Sequence, residues 1–194
     1  MAPIDPFRLF KQWFEAAEQA GLPEPNAMTL ATANKAGKPS ARMVLLKGFD
    51  KRGFVFYTNY QSRKGRELAE NPHAALVLFF QPMERQIRIT GRVTKVTSEE
   101  SDEYFHSRPL GSRFSASISK QSAPVASREV LLEKLKKLEE KYPNGDPPRP
   151  LHWGGFRVDP TEIEFWQGGA FRLHDRLRYR RRSDGGWNVD RLSP

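Results

Sequence analysis

The sequence predicts a mainly β fold of the α+β class: an antiparallel barrel with helices packed around its outside. Three observations carry this. Apolar or alternating runs rich in β-branched and aromatic residues follow one another closely, as in "AMTLATA", "GFVFYTN", "AALVLFF" and "RQIRITGRVTKV". The first of them are separated by the turn signals "NKAGKP" and "FDKRGF", which suit hairpins. Helical stretches are interspersed among the strands, which places them against the outer face of the barrel.

Composition sets the limits. A chain of 194 residues suits one domain, 1–194, with a sizeable core, and its 15 prolines and 14 glycines imply many turns. The formal net charge of +9 favours an anionic partner without saying which kind. No cysteine is present, which removes disulfides, thiolate metal sites and cysteine nucleophiles together. No apolar run approaches the roughly 20 residues of a membrane span. The start, "MAPIDPFRLF", lacks a basic segment leading into an apolar one, so a cytoplasmic protein without a secretory signal is expected.

In chain order, a helix is expected at about 5–20: Asp5 caps it, Pro6 suits its first position, Phe7, Phe10, Phe14 and Ala17 recur at helical spacing, and Gly21 ends it. Strands follow at "AMTLATA", "ARMVLLKGF" and "GFVFYTN". "QSRKGRELAENP" reads as a short helix starting at Gln61 or Ser62 and stopped by Pro72. Two more strands, "AALVLFF" and "RQIRITGRVTKV", precede helices at Glu99 to His106 and Ser127 to Tyr142. In the latter helix Leu131, Leu135, Leu138 and Tyr142 form one stripe. After the loop "PNGDPPRP" come "GGFRVDP", "IEFWQG", a basic stretch and "WNVDRL".

Several stretches could carry chemistry. Arg63 and Lys64 sit in the first turn of a predicted helix, where cations are unfavourable unless an anion binds the free N–H groups there; the alternative is that both point into water. In "ARMVLLKGF", Arg42, Val44 and Leu46 share one face and Met43, Leu45 and Lys47 the other, and terminal cations of such a strand usually snorkel to solvent. Gln86 and Arg88 share the polar face of "RQIRIT". "YFHSRPLGS" gathers Tyr104, His106, Arg108 and Ser112, donors able to hold a phosphate, where a helix breaks at Pro109. Lys120, Gln121 and Ser122 form a weaker signal.

The most basic stretch, "FRLHDRLRYRRR", places Arg172, His174, Arg176 and Arg178 on one face if it is a strand, and flanking arginines would keep the imidazole neutral. Arg180, Arg181 and Arg182 read as a solvated edge. Base readers usually add Asn, Gln or stacking aromatics to their cations, so nucleic acid is not indicated. His73, His106, His152 and His174 are scattered, with no metal-ligand spacing. The residues by themselves give a barrel with several anion-binding candidates and no reaction.

Taken in order, "RMVLLK", "FYTN", "SRKGREL", "ERQIRITG", "YFHSRP", "SKQS", "FWQGG", "RLHDR" and the terminal "DRLSP" resemble the pyridoxine/pyridoxamine 5′-phosphate oxidase family from about Asp5 to the end. The resemblance implies an FMN-binding split β-barrel and a homodimer with FMN at the subunit interface. It implies that Arg42, Met43, Val44, Leu45, Leu46, Lys47, Tyr57, Thr58, Arg63, Lys64, Gln86, Gln121, Ser122, Trp166 and Arg176 bind FMN. Lys47, Tyr104, Arg108 and Ser112 would hold the substrate phosphate, and Arg172 and His174 would cover the pyridine ring in the catalytic site. The implied chemistry is hydride transfer from C4′ of the substrate to flavin N5, with O2 reduced to hydrogen peroxide. No metal, nucleic acid or membrane is implied.

Two departures from the family are visible. The chain starts almost directly at the first helix, so a longer basic N-terminal segment that helps close the site is expected to be missing or replaced. "RFSASI" lacks the aromatic residue often found before the "SKQS" position. The competing readings are a related flavin oxidase acting on a reduced phenazine precursor, a non-catalytic flavin or pyridoxal phosphate binder, and a nucleic-acid binder.

Overall fold

The computed structural model describes residues 5–194; residues 1–4, on which the reading of the chain's start partly rests, lie outside them. The order of elements is α1 (Pro6–Gln19), β1 (Ala27–Ala33), β2 (Pro39–Leu45), β3 (Gly48–Asp50), β4 (Gly53–Asn59), α2 (Arg63–Glu70), β5 (His73–Phe80), β6 (Arg85–Lys95), α3 (Ser98–Ser107), α4 (Leu110–Ile118), α5 (Arg128–Lys141), β7 (Trp153–Gln167), β8 (Asp175–Arg181) and β9 (Trp187–Arg191). The fold is mainly β, with helices outside one curled antiparallel sheet.

The sheet runs β2-β1-β5-β6-β7-β4-β3, with β8 on β7 and β9 on β8. β7 organises it. One edge lies along β6; on the other, its first half (Trp153 to Val158) pairs with β4 and its second half (Glu162 to Gln167) with β8. The sheet therefore forks at Asp159–Thr161. Pro160, which has no N–H to donate, sits at that fork, and the register against β6 shifts between Thr90 and Gly91. A Cβ at Gly91 would collide with the Asp159 carbonyl, so only glycine lets the two backbones approach this closely. "GGFRVDP" and "IEFWQG" are thus one long strand instead of two.

α1 forms as its sequence dictates. The Asp5 carboxylate accepts from the N–H groups of Phe7 (3.0 Å) and Arg8 (3.2 Å), and Gly21, at φ +68°, takes the chain out of the helix. Its apolar face drives Phe10 into the barrel, 4.6 Å from Phe49 and 4.8 Å from Phe54, both edge to face. Phe54, Phe56, Leu76, Ile87, Ile89 and Phe165 complete a closed core. Burying a side chain of this size contributes about 1.5–3 kcal/mol, so α1 is held mainly by packing.

Other expectations are corrected. "ARMVLLKGF" is not one strand: β2 ends at Leu45, the Leu46 N–H turns to the Asn26 carbonyl, and the Lys47 N–H turns to that of Val55. The basic stretch becomes strand only at Asp175. Phe171 and Arg172 lie in a tight turn, both at positive φ, so Arg172 and His174 do not share a strand face with Arg176 and Arg178. A further helix, α4, starts directly after Pro109. No described helix is long and apolar enough to cross a membrane.

Candidate functional site

A cavity of about 560 Å³ opens between β2, β4, α2, α3 and α4. Met43, Val44, Leu45, Lys47, Tyr57, Thr58, Lys64, Tyr104, Arg108, Ser112 and Gln121 line it, so eleven of the residues singled out in the sequence meet at one place.

α2 supplies its charged floor. Ser62 caps the helix by accepting from the Gly65 N–H (3.3 Å), and a Cβ at Gly65 would strike the Tyr60 carbonyl. The first turn is thereby pressed against the end of β4, and Lys64 is buried instead of reaching solvent. Its ammonium donates to Thr58 Oγ1 (3.2 Å) and Gln121 Oε1 (3.1 Å), both neutral acceptors, which leaves a third donor and a full charge uncompensated. Burial pushes the Lys64 amine below its ordinary value, and Arg42 adds to this. Arg63 keeps its N–H on Ser122 Oγ (3.2 Å), with Ser122 held at φ +69°.

Arg42 does not snorkel. Its guanidinium turns inward from β2 to Thr32, Ser40 and the carboxylate of Glu67, which also accepts from Arg63 Nε at 2.9 Å. Burial raises the Glu67 carboxyl, but hydrogen bonds from Ser40, Thr32, Arg63 and Arg42 outweigh this and bring it to about 2.

The opposite wall is aromatic. The Tyr57 and Tyr104 rings stack at 3.9 Å, Trp153 continues the stack, and the Arg108 guanidinium lies 4.7 Å above the Trp153 ring. Arg108 Nη1 is buried with no hydrogen-bond partner, and burial lowers the guanidinium pKa. An arginine that lines a cavity and keeps an orphaned donor fits an anion. Lys47, Lys64 and Arg108, the three cations lining this cavity, have no carboxylate partner among the described residues. By contrast, Arg52 and Arg157 in the adjoining hollow are both paired with Asp50 and Glu100.

A second group gathers elsewhere. Gln86, Trp166 and Arg176 form one row across β6, β7 and β8. The His174 ring lies 4.7 Å from that of Trp166, and its Nδ1 accepts from the Gly169 N–H at 3.2 Å. Arg176 donates to Glu164 (2.8 Å), which is buried and also holds Arg88 (3.0 Å). Arg172 is exposed and has no carboxylate partner among the described residues. None of these residues lines the cavity. Leu46 does not line it either, because its side chain belongs to the core.

Sequence reasoning passed over Glu67, Glu164 and Trp153. The spacing of Arg63 and Glu67, four apart on a helix, was a usable signal for the first. The others are assembled by strand pairing and had no local signature.

Comparison with known proteins places the chain in a family. Residues 14–142 match the family described as "Pyridoxamine 5'-phosphate oxidase" and residues 153–194 match "Pyridoxine 5'-phosphate oxidase C-terminal dimerisation region". A pyridoxine/pyridoxamine 5′-phosphate oxidase of Trichormus variabilis is 61% identical over 190 residues, covering 98% of this chain and 89% of that protein. One of Bordetella petrii is 60% identical over 193 residues, covering 100% and 91%. Among solved structures, PhzG from Burkholderia lata 383, in complex with tetrahydrophenazine-1-carboxylic acid, superposes with a TM-score of 0.94 at 35% identity, covering 100% of this chain and 94% of that one. A pyridoxamine 5′-phosphate oxidase-related, FMN-binding protein of Nostoc punctiforme shares the fold, with a TM-score of 0.79 at 16% identity, covering 99% and 100%. The chain belongs to the pyridoxamine 5′-phosphate oxidase family.

Proposed function

We propose that the protein is an FMN-dependent oxidase that converts pyridoxine 5′-phosphate and pyridoxamine 5′-phosphate to pyridoxal 5′-phosphate while O2 is reduced to hydrogen peroxide. The observation that carries this is the set of cations left without carboxylates around one cavity, Arg108 with a buried orphan donor among them. Two phosphorylated molecules account for two groups of donors: Lys64 with Arg42 and Arg63, and Lys47 with Tyr104, Arg108 and Ser112. The names of the relatives at about 60% identity support the same reading.

Bound FMN supplies the hydride acceptor and passes the electrons to dioxygen. The chain supplies placement. Lys64, Arg42 and Arg63 hold the flavin phosphate, with Gln121, Ser122 and Thr58 fixing their geometry. Lys47, Tyr104, Arg108 and Ser112 hold the substrate phosphate and so set the distance of the pyridine ring from the flavin. His174 Nδ1 is occupied as an acceptor, so in the neutral ring Nε2 carries the proton and donates towards the substrate. In the amine reaction, water then releases ammonia from the oxidised carbon.

The second group of residues completes the site from a partner chain. It lies within or beside the region matching the dimerisation description, it does not line this chain's own cavity, and Met43, Phe79, Phe171 and Leu173 are exposed apolar surface for a second copy to cover. A cytoplasmic homodimer is part of this reading.

The test is aerobic turnover of the FMN-loaded protein on pyridoxine 5′-phosphate, following pyridoxal 5′-phosphate and peroxide together. Equal amounts of the two are expected. A yellow but inert protein would remove the substrate assignment, and a colourless one the flavin as well. The structural match to PhzG favours one second reading, oxidation of a reduced phenazine precursor. Turnover of tetrahydrophenazine-1-carboxylic acid in preference to the phosphorylated pyridine would put that reading first.

A further inference from the structure

Glu67 is a buried carboxylate on α2 that accepts four hydrogen bonds. Oε2 accepts from Thr32 Oγ1 (2.5 Å), Ser40 Oγ (2.6 Å) and Arg42 Nη2 (3.2 Å), and Oε1 from Arg63 Nε (2.9 Å). These partners come from three elements: β1 supplies Thr32, β2 supplies Ser40 and Arg42, and α2 supplies Arg63. Ser40 and Thr32 also accept from Arg42, so the guanidinium is fixed from two sides. A carboxylate in this place needs explaining, because it sits among the cations assigned to an anion.

With Lys64 protonated, Arg42, Arg63, Lys64 and Glu67 together carry two positive charges, which balance the two negative charges of a fully ionised phosphate monoester. Without Glu67 the cluster would hold three, and two long side chains would lose the fork that orients them. We propose that Glu67 is a positioning residue: it touches no ligand, and by gripping Arg42 and Arg63 it fixes the geometry and charge of the site that recognises the flavin phosphate. This rests on the reading of that cluster as a flavin-phosphate site.

Two effects oppose each other in Glu67→Gln. Removing a negative charge strengthens the bare attraction for an anion, while loosening two arginines weakens it. The short, directional bonds of Glu67 say that orientation dominates. The experiment measures binding of FMN and of riboflavin, which lacks the phosphate, to apoprotein by quenching of flavin fluorescence. Glu67→Gln is expected to weaken FMN binding roughly 10- to 100-fold and to leave riboflavin unchanged. Ser40→Ala, which removes one donor to Glu67 and one acceptor of Arg42, is a milder variant should the first fail to fold. It is expected to weaken FMN about threefold to tenfold, again sparing riboflavin.

Unchanged or tighter FMN binding overturns the proposal. So does an equal loss for both flavins, which would make Glu67 a general structural residue. If the unaltered protein binds FMN no better than riboflavin, the phosphate reading itself fails, a result distinguishable from failure of Glu67 alone.

Discussion

Two regions of this molecule are rich in positive charge, and they use it in opposite ways. On the β8–β9 ribbon almost every arginine has a carboxylate within reach. Arg178 and Arg180 share Asp190, Arg181 pairs with Asp159, Arg182 with Asp184, and Arg176 with Glu164. Arg178 and Asp190 are direct cross-strand partners, so the pairing is built into the register. Around the cavity, Lys47, Lys64 and Arg108 have no such partner among the described residues. Density of charge by itself therefore does not mark a site; a cation left without a carboxylate beside a cavity is the better signal. Arg172, in the turn before β8, also lacks a carboxylate partner among the described residues, but it is exposed to water.

The largest expected effect tests this contrast directly. Arg108→Ala should lower kcat/KM for pyridoxine 5′-phosphate by on the order of 10²- to 10³-fold, because on the proposed assignment it would remove a desolvated, charge-assisted contact to phosphate. Flavin content should stay near normal. Arg180→Ala, an equal loss of charge on the ribbon, should change kcat/KM by less than about twofold. Steady-state kinetics on both variants checks the pair, and comparable losses would break the comparison.

How much of this could be read from the sequence depends on the range of each signal. α1 was legible because its cap, proline, periodicity and terminal glycine are all local. β1, β4, β5 and β6 were legible because alternation is local too. The sequence shows β7 as two runs, "GGFRVDP" and "IEFWQG", because what joins them is the fork in the sheet, where Pro160 is tolerated. α4 was passed over because Pro109 ends α3 and no side chain caps the helix after it. Within the site, residue types were legible and their state was not. Arg42 was expected in solvent, yet Glu67, Ser40 and Thr32 draw it inward. Arg172 was expected on a strand, yet a turn with two non-glycine residues at positive φ carries it.

The carboxylate within the cation cluster gives the next effect. Glu67 lies at about 2 against an ordinary 4.5, so its ionised form stabilises the fold. A lowered carboxylate contributes fully above pH 4.5 and loses its contribution as pH falls towards 2, here roughly 3 kcal/mol. Chemical denaturation of the apoprotein across this window should show that loss. Glu67→Gln should be less stable at pH 7 and should flatten the acid limb. An unchanged slope would mean that Glu67 is not held as strongly as its four partners imply.

Lys64 sharpens the contrast from the other side. Lys64→Met should weaken FMN binding roughly 10- to 100-fold, while raising the melting temperature of the apoprotein, because a buried ammonium without a carboxylate is replaced by an apolar chain of similar length. The sign with pH is also fixed. Burial and Arg42 favour the neutral amine, and a bound phosphate favours the ammonium, so FMN affinity should fall as pH rises through the lowered Lys64 value, before the ordinary 10.5. Titrations between pH 7 and 10 should show this fall in the unaltered protein and a flat response in Lys64→Met.

The smallest expected effect belongs to the ribbon. Arg180→Ala leaves Asp190 still paired with Arg178, and the Arg180 side chain is about half exposed. Such pairs contribute about 0–1 kcal/mol and weaken with salt. The variant should therefore melt within about 2 °C of the unaltered protein at 0.15 M salt, the difference shrinking further at 1 M. A large, salt-insensitive loss would mean that the ribbon's ion pairs are buried in the assembled protein, and the solvated edge would then have to be read as part of the subunit interface.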